Sequence, residues 1–329
     1  MHKYNKEVVL NDFDKLVSLY LNSNSDIEKN SIYSQMLFIY NIDSRLARNN
    51  RLFSYKPKNY SKILKEEEIK RRNRYLDLDN LTRTLCFNLN LELDKFYPLW
   101  SSIIINNEYE YNDFLNVIEE FLSKLFPYSL ELFNNDIKNG NIIIRRDLFF
   151  SSASIFYLES IKKYYIMIDY YKKLNAFNIA SVIHEYGHAS TFISNESYES
   201  KDYILNEVIS YLYELVFLDY YLRKYGNENN YKEIIRVFNF SCIIKLKNHL
   251  SKNYKYNHNS ISMIESLYGQ VIGTSIYIKY RDSDILEKIK FLQENYSKVD
   301  GFELLKSINI SEEDLIDTSS DISKLVLRR

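Results

Sequence analysis

The sequence predicts a mainly α-helical protein with a small β-sheet. Three observations carry this. Glycine and proline are scarce, at 6 and 3 of 329 residues, which disfavours turn-rich all-β folds and favours long helices. Apolar residues recur at helical spacing over most of the chain. One stretch, from about 140 to 170, changes instead to β-branched and aromatic runs.

Taken in order, residues 8–21 place apolar side chains at 9, 10, 13, 16, 17, 20 and 21, one face of a helix. Residues 27–46 and 60–75 read as two more helices. The charge run from Lys65 to Lys70 is a solvated face with i,i+4 pairs. Residues 78–93 continue the helical region. A helix over 112–125 stops near Pro127. After Asn139-Gly140-Asn141 come Ile142-Ile143-Ile144, then 154–158 and 164–170. The last of these is a strand candidate just ahead of the next helix, either an ordinary core strand or a sheet edge able to hold an extended peptide. Helices follow at about 203–221, 229–250, 259–280 and 284–297, with one or two short ones over 308–327.

A chain of this length can bury a sizeable core in one large domain or two smaller ones. The expected division is an N-terminal helical region over 1–138 and a catalytic region over 139–329, joined as one continuous compact unit. Formal net charge is −1, so no global field steers the protein to nucleic acid or an anionic membrane. No run approaches 18 apolar residues, and the N-terminus has neither an apolar core nor a cleavage pattern; the expected location is cytoplasmic, or outside the cell by an export route that the sequence does not show. Cys86 and Cys242 are far apart and read as reduced core thiols. Nothing in the sequence indicates an oligomeric state.

The densest chemistry lies in His184-Glu185-Tyr186-Gly187-His188, an H-E-x-x-H pattern. On a helix, positions i and i+4 share a face, so both imidazoles reach one metal ion. Glu185, about 100° around, can take a proton from an attacking water. The chain has only 5 His, and two are here, so coincidence explains the pattern poorly. Apolar residues at 176, 177, 179, 180 and 183 mark a largely buried helix, where histidines need partners.

A catalytic zinc takes three protein ligands. His184 and His188 supply two. Glu207 and Glu214, seven residues apart, lie on one face of the following helix among Leu205, Val208, Ile209, Leu212, Leu215 and Val216. Glu207 is the expected third ligand, with Glu214 behind it orienting a histidine or steadying Glu207. One Zn²⁺ per chain is expected.

These residues resemble the thimet oligopeptidase and oligoendopeptidase F family of zinc metallopeptidases. Its metal helix reads H-E-[aromatic or Leu]-G-H, its third ligand opens an E-x6-E segment, and an extended F-I-x-x-N segment precedes the metal helix. His184 to His188, Glu207 to Glu214 and Tyr165-Ile166-Met167-Ile168-Asp169 are similar to these in turn. The likeness covers about 140–280. It implies a mostly helical fold with a deep cleft and cleavage of short unfolded peptides. Three departures stand out. The chain is shorter than typical members, which implies a reduced N-terminal region. The His188 to Glu207 spacing is tighter by a few residues. The family's late histidine and tyrosines match only in part: His258 and Tyr268, ten apart and followed by Gly269, take the place of donors to the substrate carbonyl and the oxyanion, while Leu267 and Gln270 stand where tyrosines are expected. Tyr254, Tyr256 and Tyr277 are alternatives.

The expected function is zinc-dependent endopeptidase activity on peptides, with Glu185 as general base and an oxyanion donor from His258 or a tyrosine. A zinc-binding peptide-recognition protein with little catalysis, a protease dedicated to one peptide, and a structural helical protein with a chance motif are the alternatives.

Overall fold

The computed structural model describes residues 15–24, 62, 65, 66, 69, 78–94, 108–147, 152–158, 163–171, 173–194, 203–226, 258–296 and 301–321. Helices dominate them. After a short helical segment at 15–22 come α1 (Asp79–Asp94), α2 (Tyr111–Leu125), α3 (Pro127–Asn139), α4 (Ala176–Ser194), α5 (Tyr203–Tyr225), α6 (His258–Tyr280), α7 (Ile285–Asn295), α8 (Gly301–Ser307) and α9 (Glu312–Ser320). The helices expected over 27–46 and 229–250, and most of that over 60–75, lie outside the described residues, as does Cys242; Cys86 is buried.

Two helices, α3 and the short α8, go beyond the sequence-based expectation. Pro127 does not merely stop α2; it sits at the first position of α3, where its missing N–H costs nothing and its fixed φ favours a helical start. α3 ends on Gly140, left-handed at φ 67°, the conformation glycine adopts most cheaply at a helix end.

Gly140 turns the chain into β2 (Ile142–Asp147), followed by β3 (Ser152–Leu158) and β4 (Lys163–Tyr171). The sheet order is β2-β4-β3, with β2 parallel and β3 antiparallel to β4. Ile166 of β4 lies between Ile142 and Ile155 in register. The expected strand over 164–170 is therefore the central one. The edge strand that packs on the next helix is β3. The reason is that β3 pairs antiparallel with the strand that follows it, so β4 ends up flanked on both sides.

β5 (Leu174–Asn175) pairs antiparallel with β1 (Glu108–Tyr109) and leads straight into α4. The start of α4 is fixed by a reciprocal cap. The backbone N–H of Asn178 donates to Asn175 Oδ1 at 3.2 Å, and that of Asn175 donates to Asn178 Oδ1 at 3.0 Å. This satisfies two otherwise orphaned donors, stabilising the helix start by about 1 kcal/mol.

α4, α5 and α6 form the centre of the core. α5 lies between the other two and is buried from Ile204 to Leu218 except at Glu207. Such all-round burial is what its nearly continuous apolar sequence calls for. Three of the chain's six glycines face α5. A Cβ on Gly187 would fall 2.5 Å from Ser210 Cα, one on Gly269 would fall 2.3 Å from Glu207 Cβ, and one on Gly273 would fall 3.1 Å from Tyr211 Cβ. Glycine here serves close helix approach rather than turns. Around this centre, α2 and α3 cover one side of α4, α7 contacts α4, α5 and α6, and α9 packs on α1 and α6.

Candidate metal centre

The close approach of α4 to α5 brings together three side chains that could hold a metal ion. His184 and His188 stand one turn apart, their rings 5.0 Å between centroids and at 79°. Glu207 faces them both. Its Oε2 lies 3.8 Å from His184 Nε2 and its Oε1 lies 3.7 Å from His188 Nε2. One ligand atom from each of the three falls within 4.8 Å of the others.

The spacing fits a metal better than a hydrogen-bonded cluster. Both gaps exceed hydrogen-bond length, and the carboxylate splits its two oxygens between two imidazoles. Tetrahedral zinc, with bonds near 2.0–2.1 Å, separates neighbouring ligand atoms by about 3.3–3.4 Å. The two Glu207 gaps lie within about half an ångström of that, and the three ligand atoms, all within 4.8 Å of one another, would draw closer around an ion. Two imidazole nitrogens and one carboxylate oxygen are also a donor set that suits zinc.

The far side of His184 is held as metal-binding histidines commonly are. Its Nδ1 lies 3.2 Å from Glu214 Oε2. Glu207, Tyr211 and Glu214 sit at i, i+4 and i+7 on α5 and so share a face. Tyr211, which sequence reasoning missed, sets its ring edge-on to His184 at 4.7 Å and pairs its hydroxyl with Ser266 at 3.0 Å. Its place between the two glutamates was the available clue. Asn206, next to Glu207, accepts from Thr191 at 3.2 Å and ties α5 to α4 beside the site.

The two histidines differ electrostatically. Burial works against charge on His184, but the Glu214 hydrogen bond and the negative charges of Glu207 and Glu185 outweigh it, and the pKa rises above the ordinary value. For His188 burial prevails: with Glu207 and Asn206 opposing and His184 assisting, its pKa drops to about 4. His188 is thus a neutral imidazole at neutral pH, with a lone pair ready for a metal.

Glu185 is buried on the adjoining face, where its Oε2 accepts the backbone N–H of Ile155 at 2.9 Å. The edge strand β3 therefore reaches the motif directly. No local pattern marks a pairing across 30 residues.

The remaining expected residues divide. His258 opens α6, but its side chain lies outside the described residues, as do Tyr254 and Tyr256. Tyr268 is fully buried, and its hydroxyl pairs with Thr82 of α1 at 2.9 Å. The helix rotation explains this: Gly269 faces Glu207, so Tyr268, about 100° around, points elsewhere. The Tyr277 hydroxyl is engaged by Asp219, and burial first, then that carboxylate, raises its pKa.

No family model matches the chain, and no curated protein matches it. Solved structures do. The chain is similar to PZ peptidase A with inhibitor 2, with a TM-score of 0.55 at 10% identity over 98% of this chain and 78% of that one. It is also similar to a chain assigned as an oligoendopeptidase F from Bacillus anthracis str. Ames, with a TM-score of 0.51 at 12% identity over 97% of this chain and 75% of that one. At such identities the likeness is one of fold, and the mostly helical architecture agrees with it. No helix among the described residues is long and apolar enough to cross a membrane.

Proposed function

We propose that this chain is a zinc-dependent endopeptidase that cuts short unfolded peptides. One observation carries the reading. The Glu207 carboxylate stands 3.7 and 3.8 Å from the Nε2 atoms of His188 and His184, while Nδ1 of His184 rests on Glu214. The likeness in fold to helical peptidases supports peptide as the substrate class.

His184, His188 and Glu207 would hold the ion. Bound there, Zn²⁺ supplies Lewis acidity, polarising a carbonyl and making water acidic enough to react near neutral pH. Glu214 keeps His184 oriented, with Nε2 turned inward. Glu185 takes the proton from the attacking water and passes it to the leaving amine. Its bond to Ile155 N–H holds the carboxylate against β3. Because the Ile155 N–H leaves the sheet toward α4, the backbone groups of Ala153 and Tyr157 point the same way. A peptide lying along this edge as an added strand would pass the motif. His258 is the favoured donor to the developing oxyanion. Tyr268 would have to give up its bond to Thr82 to serve there.

That engaged hydroxyl also favours a second reading, a zinc-binding peptide-recognition protein with little turnover. Zinc content after chelator-free purification, together with mass-spectrometric readout of a mixed peptide library, separates the two. Stoichiometric zinc with cleavage by wild type but not Glu185→Gln is expected. Zinc without cleavage supports the binder or a protease dedicated to one peptide. Full cleavage by Glu185→Gln would remove Glu185 from the mechanism.

A further inference from the structure

The back of the metal helix carries a polar cluster that ligation does not use. Tyr186, the residue after Glu185, is fully buried, and its hydroxyl donates to Asp136 Oδ2 at 2.9 Å. Tyr164 of β4 donates to the same oxygen at 2.8 Å, and Asn141 Nδ2 donates to Oδ1 at 2.9 Å. Phe133, about one turn before Asp136, sets its ring edge against Tyr186 at 5.7 Å and 74°. Burial and the Asp136 charge push both tyrosines above their usual range, so each stays a neutral donor.

Asp136 is poorly placed for the stability of its own helix. It sits in the last turn of α3, where a negative charge opposes the helix dipole, and it is 2% exposed. Its hydrogen bonds instead join three elements: α3, the central strand β4 and the metal helix α4.

We infer that Asp136 is a positioning residue for the metal centre: through the Tyr186 hydroxyl it fixes the rotation of α4, so that His184 and His188 meet Glu207. This rests on the metallopeptidase reading above. Toward α5, the backbone approach at Gly187–Ser210 sets the distance between the helices and Thr191 bonds to Asn206; the Tyr186–Asp136 bond holds the other flank. Side chains end about 5–6 Å from a helix axis, so a turn of about 10° moves a ligand atom by roughly 1 Å. Metal–ligand distances tolerate about 0.2 Å. A directional bond on the opposite face is what resists such a turn.

The test compares two tyrosines on one carboxylate oxygen. Zn²⁺ dissociation constants would be measured on the full chain by competition with a chromogenic chelator, beside melting temperatures of the metal-free proteins. Tyr186→Phe should weaken zinc binding about tenfold. Tyr164→Phe removes an equivalent bond from outside the metal helix, so it should lower the melting temperature comparably while holding zinc within about twofold of wild type. Asp136→Ala should reproduce the Tyr186→Phe loss. Because it also strands two buried hydroxyls and can cost the fold, the conservative Tyr186→Phe is the deciding variant. Wild-type zinc affinity in Tyr186→Phe, or an equal loss in Tyr164→Phe, would overturn the inference and leave the cluster a stability element. Absence of zinc binding by wild type would sink the metallopeptidase reading itself, and the inference with it.

Discussion

Toward α5, α4 presents Gly187, and Ser210 Cα lies where a side chain would begin. Toward α3 and β3 it presents Tyr186 and Glu185, and each is held by a hydrogen bond, to Asp136 and to Ile155 N–H. The first flank is set by close backbone approach, with the Thr191–Asn206 and His184–Glu214 bonds beside it; the second is held by directional bonds to a helix and a strand edge. Close backbone approach brings His184 and His188 within reach of Glu207. Directional bonds keep the faces of α4 from turning once they are there. A metal centre between two helices needs both, because ligand distance and ligand angle are separate constraints.

The largest effect should come from breaking the close flank. Gly187→Ala puts a Cβ 2.5 Å from backbone that has no flexible end to move. Parting α4 from α5 should cost about 2–3 kcal/mol of stability, read as a shift in the urea midpoint of the metal-free protein, and should weaken zinc binding as well. Unchanged stability would mean the helices do not approach this closely. Gly269→Ala, which crowds Glu207 at its Cβ, should act on zinc affinity in the same direction.

Next comes the support behind His184. Glu214→Ala should raise the zinc dissociation constant about tenfold to thirtyfold, with the fold retained. Calorimetric titration checks this, and an unchanged affinity would reduce Glu214 to a bystander.

A pH series sharpens the contrast between the two histidines. His184, with its raised pKa, carries a proton below that value, which an incoming metal must displace. Zinc affinity should therefore fall with acidification, by about tenfold per pH unit once the pH is below that pKa. His188 adds a second proton only as the pH approaches about 4. Because the Glu214 hydrogen bond helps raise the His184 pKa, Glu214→Ala should shift the onset of this fall to lower pH. A two-proton slope near neutrality would contradict the assignment.

The smallest effect belongs to a site away from both flanks. Thr82→Val removes the partner of the Tyr268 hydroxyl and should cost about 1 kcal/mol without altering zinc affinity. A gain in peptide cleavage would instead indicate that Tyr268, once released, serves the reaction.

Much of the site is readable without the fold, and for a local reason. Helical spacing alone puts His184 and His188 on one face, and the same rule pairs Glu207 with Glu214. Scarce glycine points correctly to helices, but not to where those glycines act: Gly187, Gly269 and Gly273 each matter through a neighbour on another helix. Pro127 reads as a stop and also starts α3, because one residue can end one helix and begin the next. Composition marks the strand over 164–170, but its central place depends on its pairing with β3. The family resemblance singles out Tyr268, and the rotation of α6 gives its hydroxyl to Thr82 instead.

The helical class, the short β segment, the two-histidine pair and the glutamates able to join it are thus written in the chain alone. These follow from composition and from periodicity within single elements. That β3 holds Glu185, that Asp136 holds Tyr186 and that Tyr211 lies on His184 came only with the packed fold. These contacts join residues between 27 and 50 positions apart, and each depends on how one element is rotated against another. Periodicity says which residues share a face; packing decides what that face meets.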